Sequence, residues 1–302
     1  MNARKILKKI KRDLGNDLTC DSTKINDDFR DEERELSRLR PKGIITGSSL
    51  YIDDFLGKKF PHRPMIIDPW LKQGTITLVY AKRGLGKTWF ALVVANAVTR
   101  GLPIGEWKTI NPIGCLYLDG EMACDELQSR LRQLTTGLPA AQAPLHIISS
   151  EDLKSNNKPA IDLVNEKCRN TILDDLKKDE SFRLLIIDNL SCLAPHMSEN
   201  SKQHWDGINQ WLLDLRAIGV AVIMIHHTGK NGAQRGTSAR EDNIDVSISL
   251  EKVEDDPSFR GVTFGVEFTK SRGLCGDDAA SFIMKIAEGY AGKLPWEVCS
   301  KD

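Results

Sequence analysis

The sequence predicts an α/β fold with a doubly wound, mostly parallel sheet, helices on both of its faces, and antiparallel hairpin strands near the C-terminal end. Two observations carry this prediction. From about residue 70, short and continuously apolar runs alternate with segments of helical periodicity, as expected when parallel strands are buried on both faces. After residue 244, the segments are instead typical of hairpin strands that extend such a sheet.

The predicted strands and helices alternate along the chain, which implies right-handed crossovers between parallel strands. The predicted parallel strands are residues 75–81, 114–119, 145–149, 183–188 and 220–226. The predicted helices between them are residues 87–100, 123–136, 161–178 and 203–218. The last helix carries one apolar stripe that predicts core packing, formed by Trp205, Ile208, Leu212 and Leu215. The hairpin strands are predicted in DVSISLEK, VTFGVEFTK and ASFIMKIA.

Residues 1–45 differ in composition from the rest and predict a charged N-terminal arm and linker ahead of one large domain at 46–302. The first twelve residues, MNARKILKKIKR, carry six basic side chains and no acid, and mixed-charge sequence follows. Two interpretations stay open for this arm. It is either a solvated, partly disordered segment or a segment that docks on a partner.

The composition excludes several classes of protein. Basic and acidic residues number 42 each, so no overall positive field favours nucleic acid or anionic membranes, and such binding must come from local patches. The seven cysteines include no C-x-x-C pair, which excludes a disulfide framework or a cysteine zinc site. No apolar run approaches the length of a membrane span, and the N-terminus has charge but no apolar region of the kind found in signal peptides, so neither a membrane span nor a secretion signal is indicated. We expect a soluble cytoplasmic protein that does not bind membranes.

The segment YAKRGLGKTWF, from Tyr80 to Phe90, predicts a phosphate-binding loop between a buried strand and a helix. It follows the pattern A-x-x-x-x-G-K-T, in which Ala81 replaces the glycine of the strict pattern. Backbone N–H groups and the helix N-terminus would converge on the anion, Lys87 would reach the outer phosphates, and the Thr88 hydroxyl would ligate Mg²⁺. The expected ligand contacts are Ala81, Lys82, Arg83, Gly84, Leu85, Gly86, Lys87, Thr88 and Trp89.

Carboxylates at two other strand ends are suited to the chemistry that a bound phosphate group needs. Asp188 ends the strand RLLIID, where it can hold Mg²⁺ directly or through water, although aspartates at strand ends also cap helices. Glu121 follows the strand GCLYLD and can orient and deprotonate an attacking water, with Asp119 in support. The alternative for Glu121 is that it caps the helix at 123–136.

Later polar residues are candidates for contacts with phosphates or with a polyanion. His226 and His227 end a predicted strand, and they either contact phosphate or include a core histidine whose hydrogen bonds are satisfied within the protein. They could also be a pair of zinc ligands, but no third ligand with suitable spacing is evident. The loop after them is either a mobile loop that contacts the anionic backbone of a nucleic acid or an ordinary surface loop. Its cations are Lys230, Arg235 and Arg240. Lys270 and Arg272 lie two apart on a predicted strand and form either a cationic clamp or ordinary exposed strand charges.

The order of these motifs resembles that of the RecA-like ATPases. Over about residues 55–290, the phosphate loop is followed by DGE, then LLIID, then HHTGK, as in compact hexameric helicases of the plasmid RepA type and the related DnaB ATPase domain. The resemblance implies a RecA-like fold and Mg²⁺-dependent ATP hydrolysis with Glu121 as catalytic base. It also implies that His226 or His227 senses the γ-phosphate, and that Lys270 and Arg272 reach into the nucleotide site of the neighbouring subunit.

From this resemblance we expect a homo-oligomer, a hexameric ring, that moves along single-stranded DNA at the expense of ATP in plasmid or phage replication. Lys230, Arg235 and Arg240 would grip the DNA backbone in the channel of the ring. Two alternatives stay open. One is a regulatory or repair ATPase of the RecA, RadA or KaiC kind without unwinding activity, and the other is a nucleotide-gated assembly scaffold.

Overall fold

The computed structural model describes residues 49–50, 52–195, 202–227, 243–254, 258–289 and 293–301. The chain divides into two compact units, Met1–Pro61 and His62–Asp302. In the first unit, helix α1 (Ile52–Gly57) is followed by Phe60, whose ring centroid lies 5.1 Å from that of Phe55. The predicted arm at residues 1–45 lies outside the described residues.

The second unit contains the remaining elements. Its strands are β1 (Met65–Asp68), β2 (Leu71–Lys72), β3 (Ile76–Ala81), β4 (Lys108–Thr109), β5 (Gly114–Asp119), β6 (Leu145–Ser149), β7 (Phe182–Asp188), β8 (Ala221–His227), β9 (Val246–Glu251), β10 (Val262–Ser271), β11 (Phe282–Ile286) and β12 (Trp296–Ser300). Its helices are α2 (Lys87–Arg100), α3 (Cys124–Thr135), α4 (Ser150–Ser155), α5 (Glu166–Lys178), α6 (Leu190–Leu193) and α7 (Lys202–Ala217), with a short 3-10 helix at Gly276–Ala279.

Nine strands of the described part of the chain form the main sheet, in the order β12-β11-β10-β9-β3-β8-β7-β5-β6. The strands from β9 to β6 are parallel, and β10, β11 and β12 continue the sheet in antiparallel pairs. A separate antiparallel sheet has the order β2-β1-β4. The predicted fold class is confirmed.

Apolar layers cover both faces of the main sheet. One layer contains α2 and α3, and the other contains α5, α6 and α7. Helix α2 is buried around most of its circumference because its residues 89–95 form a continuous apolar run, which covers every side of the helix. It ends at Gly101, which adopts the left-handed conformation (φ 71°) and donates its N–H to the Ala97 carbonyl. The predicted stripe of α7 is buried in the other layer, as expected.

The sequence predicted the long helices and strands well and the short strands poorly. The helix predicted at 161–178 begins only at Glu166, because the Asn165 side chain accepts hydrogen bonds from two backbone N–H groups and caps the helix there. Strands β2 and β4 have two residues each, too few for a periodic pattern to show. Among the described residues, no helix is both long and apolar enough to cross a membrane.

Candidate functional site

The carboxyl ends of four parallel strands bring the phosphate loop, Glu121, Asp188 and His227 together at one edge of the sheet. Asp119 at the end of β5 is in register with Asp188 at the end of β7. Ala81 at the end of β3 is in register with His227 at the end of β8. In the sheet order, β8 lies between β3 and the two carboxylate-bearing strands, β7 and β5. The Thr88 hydroxyl, just after the phosphate loop, nevertheless reaches Asp188 and forms a hydrogen bond with it. Ligands of open α/β sheets bind at this edge.

The loop between β3 and α2 has the backbone conformation that its glycines permit. Gly84 and Gly86 have φ values of 79° and 93°, in the left-handed region that favours glycine. A side chain on Gly86 would in addition place its Cβ 2.6 Å from the ring of Phe264. Ala81 is the last residue of β3, in an extended conformation that any residue adopts, which explains why alanine can replace glycine there.

Lys87 is the first residue of α2 and turns back over the loop. Its ammonium group donates hydrogen bonds to the carbonyl oxygens of Ala81 (3.0 Å) and Lys82 (2.8 Å). Burial lowers the pKa of Lys87 to about 8, while the carboxylates of Asp188 and Glu121 oppose this shift. The ammonium group thus lies against the backbone of the phosphate loop. A phosphate bound there would favour the charged form of Lys87.

Asp188 and Thr88 form the candidate Mg²⁺ site. Asp188 is 2% exposed, and it accepts a hydrogen bond from the Tyr117 hydroxyl at 2.7 Å and another from the Thr88 hydroxyl. Burial raises the pKa of Asp188, which the two hydrogen bonds and Lys87 oppose. A carboxylate and a hydroxyl in contact fit a Mg²⁺ ion, which takes few protein ligands and completes its shell with water and phosphate oxygens.

Glu121 is anchored by two side chains from neighbouring strand ends. One of its carboxylate oxygens, Oε2, accepts a hydrogen bond from the Asn189 amide and lies 3.2 Å from Nε2 of His227. The same amide nitrogen is 3.1 Å from Nε2 of His227, so the three groups form a closed triangle. Glu121 does not cap α3. The cap residue is Ala123, and the N–H of Cys124, the first residue of the helix, donates a hydrogen bond to Glu151.

Asn189 is a site residue that the sequence did not indicate. It is fully buried, and its side-chain oxygen accepts the N–H of Cys192 at 3.0 Å, which caps the short helix α6. In the sequence, an asparagine directly after a strand indicates no more than a helix cap. Its contact with Glu121 depends on the register of β5 against β7, which the sequence does not show.

The two adjacent histidines have different surroundings. His227 points to Glu121 and Asn189, and burial, reinforced by Lys87, lowers its pKa. His226 is buried on the opposite face of the strand, with Nδ1 3.3 Å from the Ser191 hydroxyl. The alternation of side chains along β8 thus brings His227, and not His226, to Glu121. The described residues contain no group of side chains that could hold a zinc ion.

Asp119 supports the loop that carries Glu121. Its side chain is fully buried, and Oδ1 accepts the backbone N–H of Met122 at 3.3 Å. Burial raises the pKa of Asp119 to about 6, and the nearby Asp188 carboxylate adds to the shift. Oδ2 has no hydrogen-bond partner among the described residues.

The comparisons with known proteins agree with this geometry. The AAA domain family matches residues 46–233, more than half of the chain. The chain belongs to this family. No curated protein matches the sequence.

Two solved structures share the fold of this AAA domain protein. The flagellar accessory protein FlaH from Methanocaldococcus jannaschii is 11% identical, with a TM-score of 0.50 over 75% of this chain and 89% of that chain. A KaiC-like protein from Pyrococcus horikoshii is 14% identical, with a TM-score of 0.50 over 75% of this chain and 95% of that chain. With the family match, these folds identify a RecA-like P-loop ATPase.

Lys270 and Arg272 of this AAA domain protein do not join the site at the carboxyl edge. Strand β10 runs antiparallel to β9, so that Ser271 is in register with Val246 at the start of β9. Arg272, one residue beyond the strand, therefore lies at the opposite, amino edge of the sheet, and Lys270 precedes it there. Arg272 donates its N–H to the Asp245 carbonyl, and its guanidinium lies 3.5 Å from the Asp245 carboxylate. Lys230, Arg235 and Arg240 lie outside the described residues.

Proposed function

We propose that this protein hydrolyses ATP with Mg²⁺ in a ring of identical subunits, and that hydrolysis drives movement along single-stranded DNA. The observation that carries the hydrolytic part is the anchored carboxylate of Glu121. It lies at the sheet edge that also holds Lys87 and Asp188.

ATP binding is assigned to the loop between β3 and α2. The backbone N–H groups of the loop and the ammonium group of Lys87 contact the phosphates, replacing the loop carbonyls that Lys87 now contacts. Thr88 and Asp188 would hold Mg²⁺, and the ion would offset the negative charge that develops on the phosphate oxygens.

Glu121 is the general base in this proposal. Asn189 and His227 hold Oε2, while the side chain as a whole remains 49% exposed. A water molecule beside the other oxygen can then transfer its proton to the carboxylate as it attacks the γ-phosphate. His227 contacts the base, and it is paired with Ala81, the residue at which the phosphate loop begins. This position makes His227 the residue best placed to sense the γ-phosphate.

The cations at the far edge of the sheet require a second subunit. Strand β3 has six residues, and at about 3.3 Å per residue it separates the two edges by about 20 Å. Arg272 cannot reach the phosphate loop of its own chain over this distance. A subunit that inserts Arg272 into its neighbour's site makes a head-to-tail contact, and such contacts generate rings or filaments. The hexameric ring is the size that the resemblance to RepA-type helicases implies.

Single-stranded DNA is assigned as the track on the basis of the chain that follows His227. Lys230, Arg235 and Arg240 come within thirteen residues of this histidine, so that a shift of His227 would be passed directly to a cationic segment. Electrostatic contacts with the DNA backbone carry no sequence preference, which suits a motor.

ATP turnover measured with increasing single-stranded DNA tests the proposal. We expect stimulation by DNA that weakens as salt is raised. Glu121→Gln should be inactive with and without DNA while still binding ATP. Turnover that depends on Glu121 but never responds to DNA would refute the motor and leave the ATPase intact.

A second candidate is an accessory or regulatory ATPase that assembles without unwinding DNA. It is favoured by the shared fold with a flagellar accessory protein and a KaiC-like protein. This candidate predicts nucleotide-dependent assembly and DNA-independent turnover, whereas a scaffold predicts assembly with almost no turnover. Native mass measurements with ATP, with and without single-stranded DNA, separate these outcomes.

A further inference from the structure

A small cationic cavity lies at the amino edge of the main sheet, where β3 and β9 begin and β10 has ended. Its volume is about 130 Å³. Among the described residues, three bases and one carboxylate line it: the bases are Arg63, Lys72 and Arg272, and the carboxylate is Asp245.

The single carboxylate of this cavity is already engaged by other groups. Oδ2 of Asp245 accepts hydrogen bonds from the Ile76 N–H at 3.0 Å and from the Arg216 guanidinium at 2.5 Å. Its Oδ1 lies 3.5 Å from the Arg272 guanidinium. Asp245 thus faces two arginines, and it has no further charge with which to balance other cations of the cavity.

Arg63 and Lys72 are the cations that Asp245 leaves without a counter-charge. Neither makes an ion pair with any other residue in the described ranges. Arg63 is held close to the turn before β3, since a Cβ on Gly74 would lie 3.5 Å from its Nη1. Positive charge of this kind in a cavity is suited to an anion.

The chain's own nucleotide cannot supply that anion, because the cavity and the phosphate loop lie at opposite ends of β3. Thr75 lines the cavity, while Ala81 begins the loop. The six residue-to-residue steps from Thr75 to Ala81 span about 20 Å at about 3.3 Å per step. An anion bound here would therefore have a source other than the nucleotide of the same chain.

We propose that this cavity receives the terminal phosphate of the ATP bound by a second copy of the chain, with Arg63 and Lys72 acting beside Arg272. The inference rests on the proposed head-to-tail assembly and names the further cations that complete its site. Arg63 offers a planar pair of donors to phosphate oxygens, and Lys72 a point charge. Both stabilise the negative charge that spreads over the phosphoryl oxygens during transfer.

Mixed-subunit assays test the inference. The double variant Arg63→Ala/Lys72→Ala keeps its phosphate loop, so we expect ATP binding close to wild type and kcat lower by about tenfold or more. Adding Lys87→Ala subunits, which are inactive alone but keep an intact cavity, should restore part of the turnover. Lys158→Ala/Lys167→Ala removes the same charge from exposed positions elsewhere and should leave turnover unchanged.

The outcomes separate this inference from the proposed function. Arg272→Ala mixed with Lys87→Ala tests the head-to-tail assembly alone. If that mixture regains activity while the Arg63→Ala/Lys72→Ala variant turns over like wild type, the cavity has no role in the neighbour's site. A slow double variant that Lys87→Ala subunits do not rescue, in rings shown to co-assemble, overturns the inference as well. Normal turnover with weakened single-stranded DNA binding would instead assign the cavity to the DNA backbone.

Discussion

Replacement of Asn189 by serine should separate the catalytic contact of this residue from its structural one. The Asn189 amide donates to Glu121 and contacts His227, while its oxygen caps α6. Serine is about as good a helix cap as asparagine, but its hydroxyl does not extend to Glu121. A hydrogen bond to a charged group contributes about 1.5–3 kcal/mol, so its loss in the transition state should lower kcat by about 10- to 150-fold.

Steady-state kinetics and thermal unfolding together measure this effect. Asn189→Ser should show the lower kcat with an unchanged Kd for ATP and only a small fall in Tm. Asn189→Ala, the matched control, should show the same kcat and lose about 1 kcal/mol more stability, because it also removes the cap. A folded Asn189→Ser protein with the kcat of wild type would refute the view that Asn189 positions the base.

The other predictions concern the phosphate loop, the proposed base Glu121 and the basic residues Lys230 and Arg235, which follow His227 in the sequence. Lys87→Ala should abolish turnover, and activity within about twofold of wild type would remove the phosphate-loop assignment. Because burial lowers the pKa of Lys87 to about 8, ATP binding measured by calorimetry should weaken and take up a proton as the pH rises above that value. Glu121→Gln should bind ATP without hydrolysing it, and normal hydrolysis would move the base elsewhere. Lys230→Ala with Arg235→Ala should keep basal turnover but lose stimulation by single-stranded DNA in the same assay, and an unchanged response would favour the regulatory candidate.

Local patterns in the sequence were sufficient to predict the elements of the parallel half of the sheet. Strands β5 and β6 and helix α2 begin and end at the predicted residues, since continuous apolar runs bounded by glycine, proline or aspartate leave little freedom in placing them. The contacts of Asn189 could not be predicted in this way. They join residues 68 and 38 positions apart, and only the register of three strands brings those residues together. Arg63 and Lys72 precede the first periodic segment, and nothing in their spacing points to a cavity.

The position of Arg272 shows why the direction of a strand matters more here than the spacing of its charges. The two-residue spacing predicted that Lys270 and Arg272 share a face of a strand, but it did not say at which edge of the sheet they lie. Strand β10 begins beside the phosphate loop, where the Phe264 ring faces Gly86, and runs antiparallel to the opposite edge. If β10 ran parallel to β9, its last residues would lie beside the loop of the same chain, and one subunit could complete the site. The antiparallel direction places these cations about 20 Å from the phosphate loop of the same chain, and for this reason the proposed site needs a second subunit.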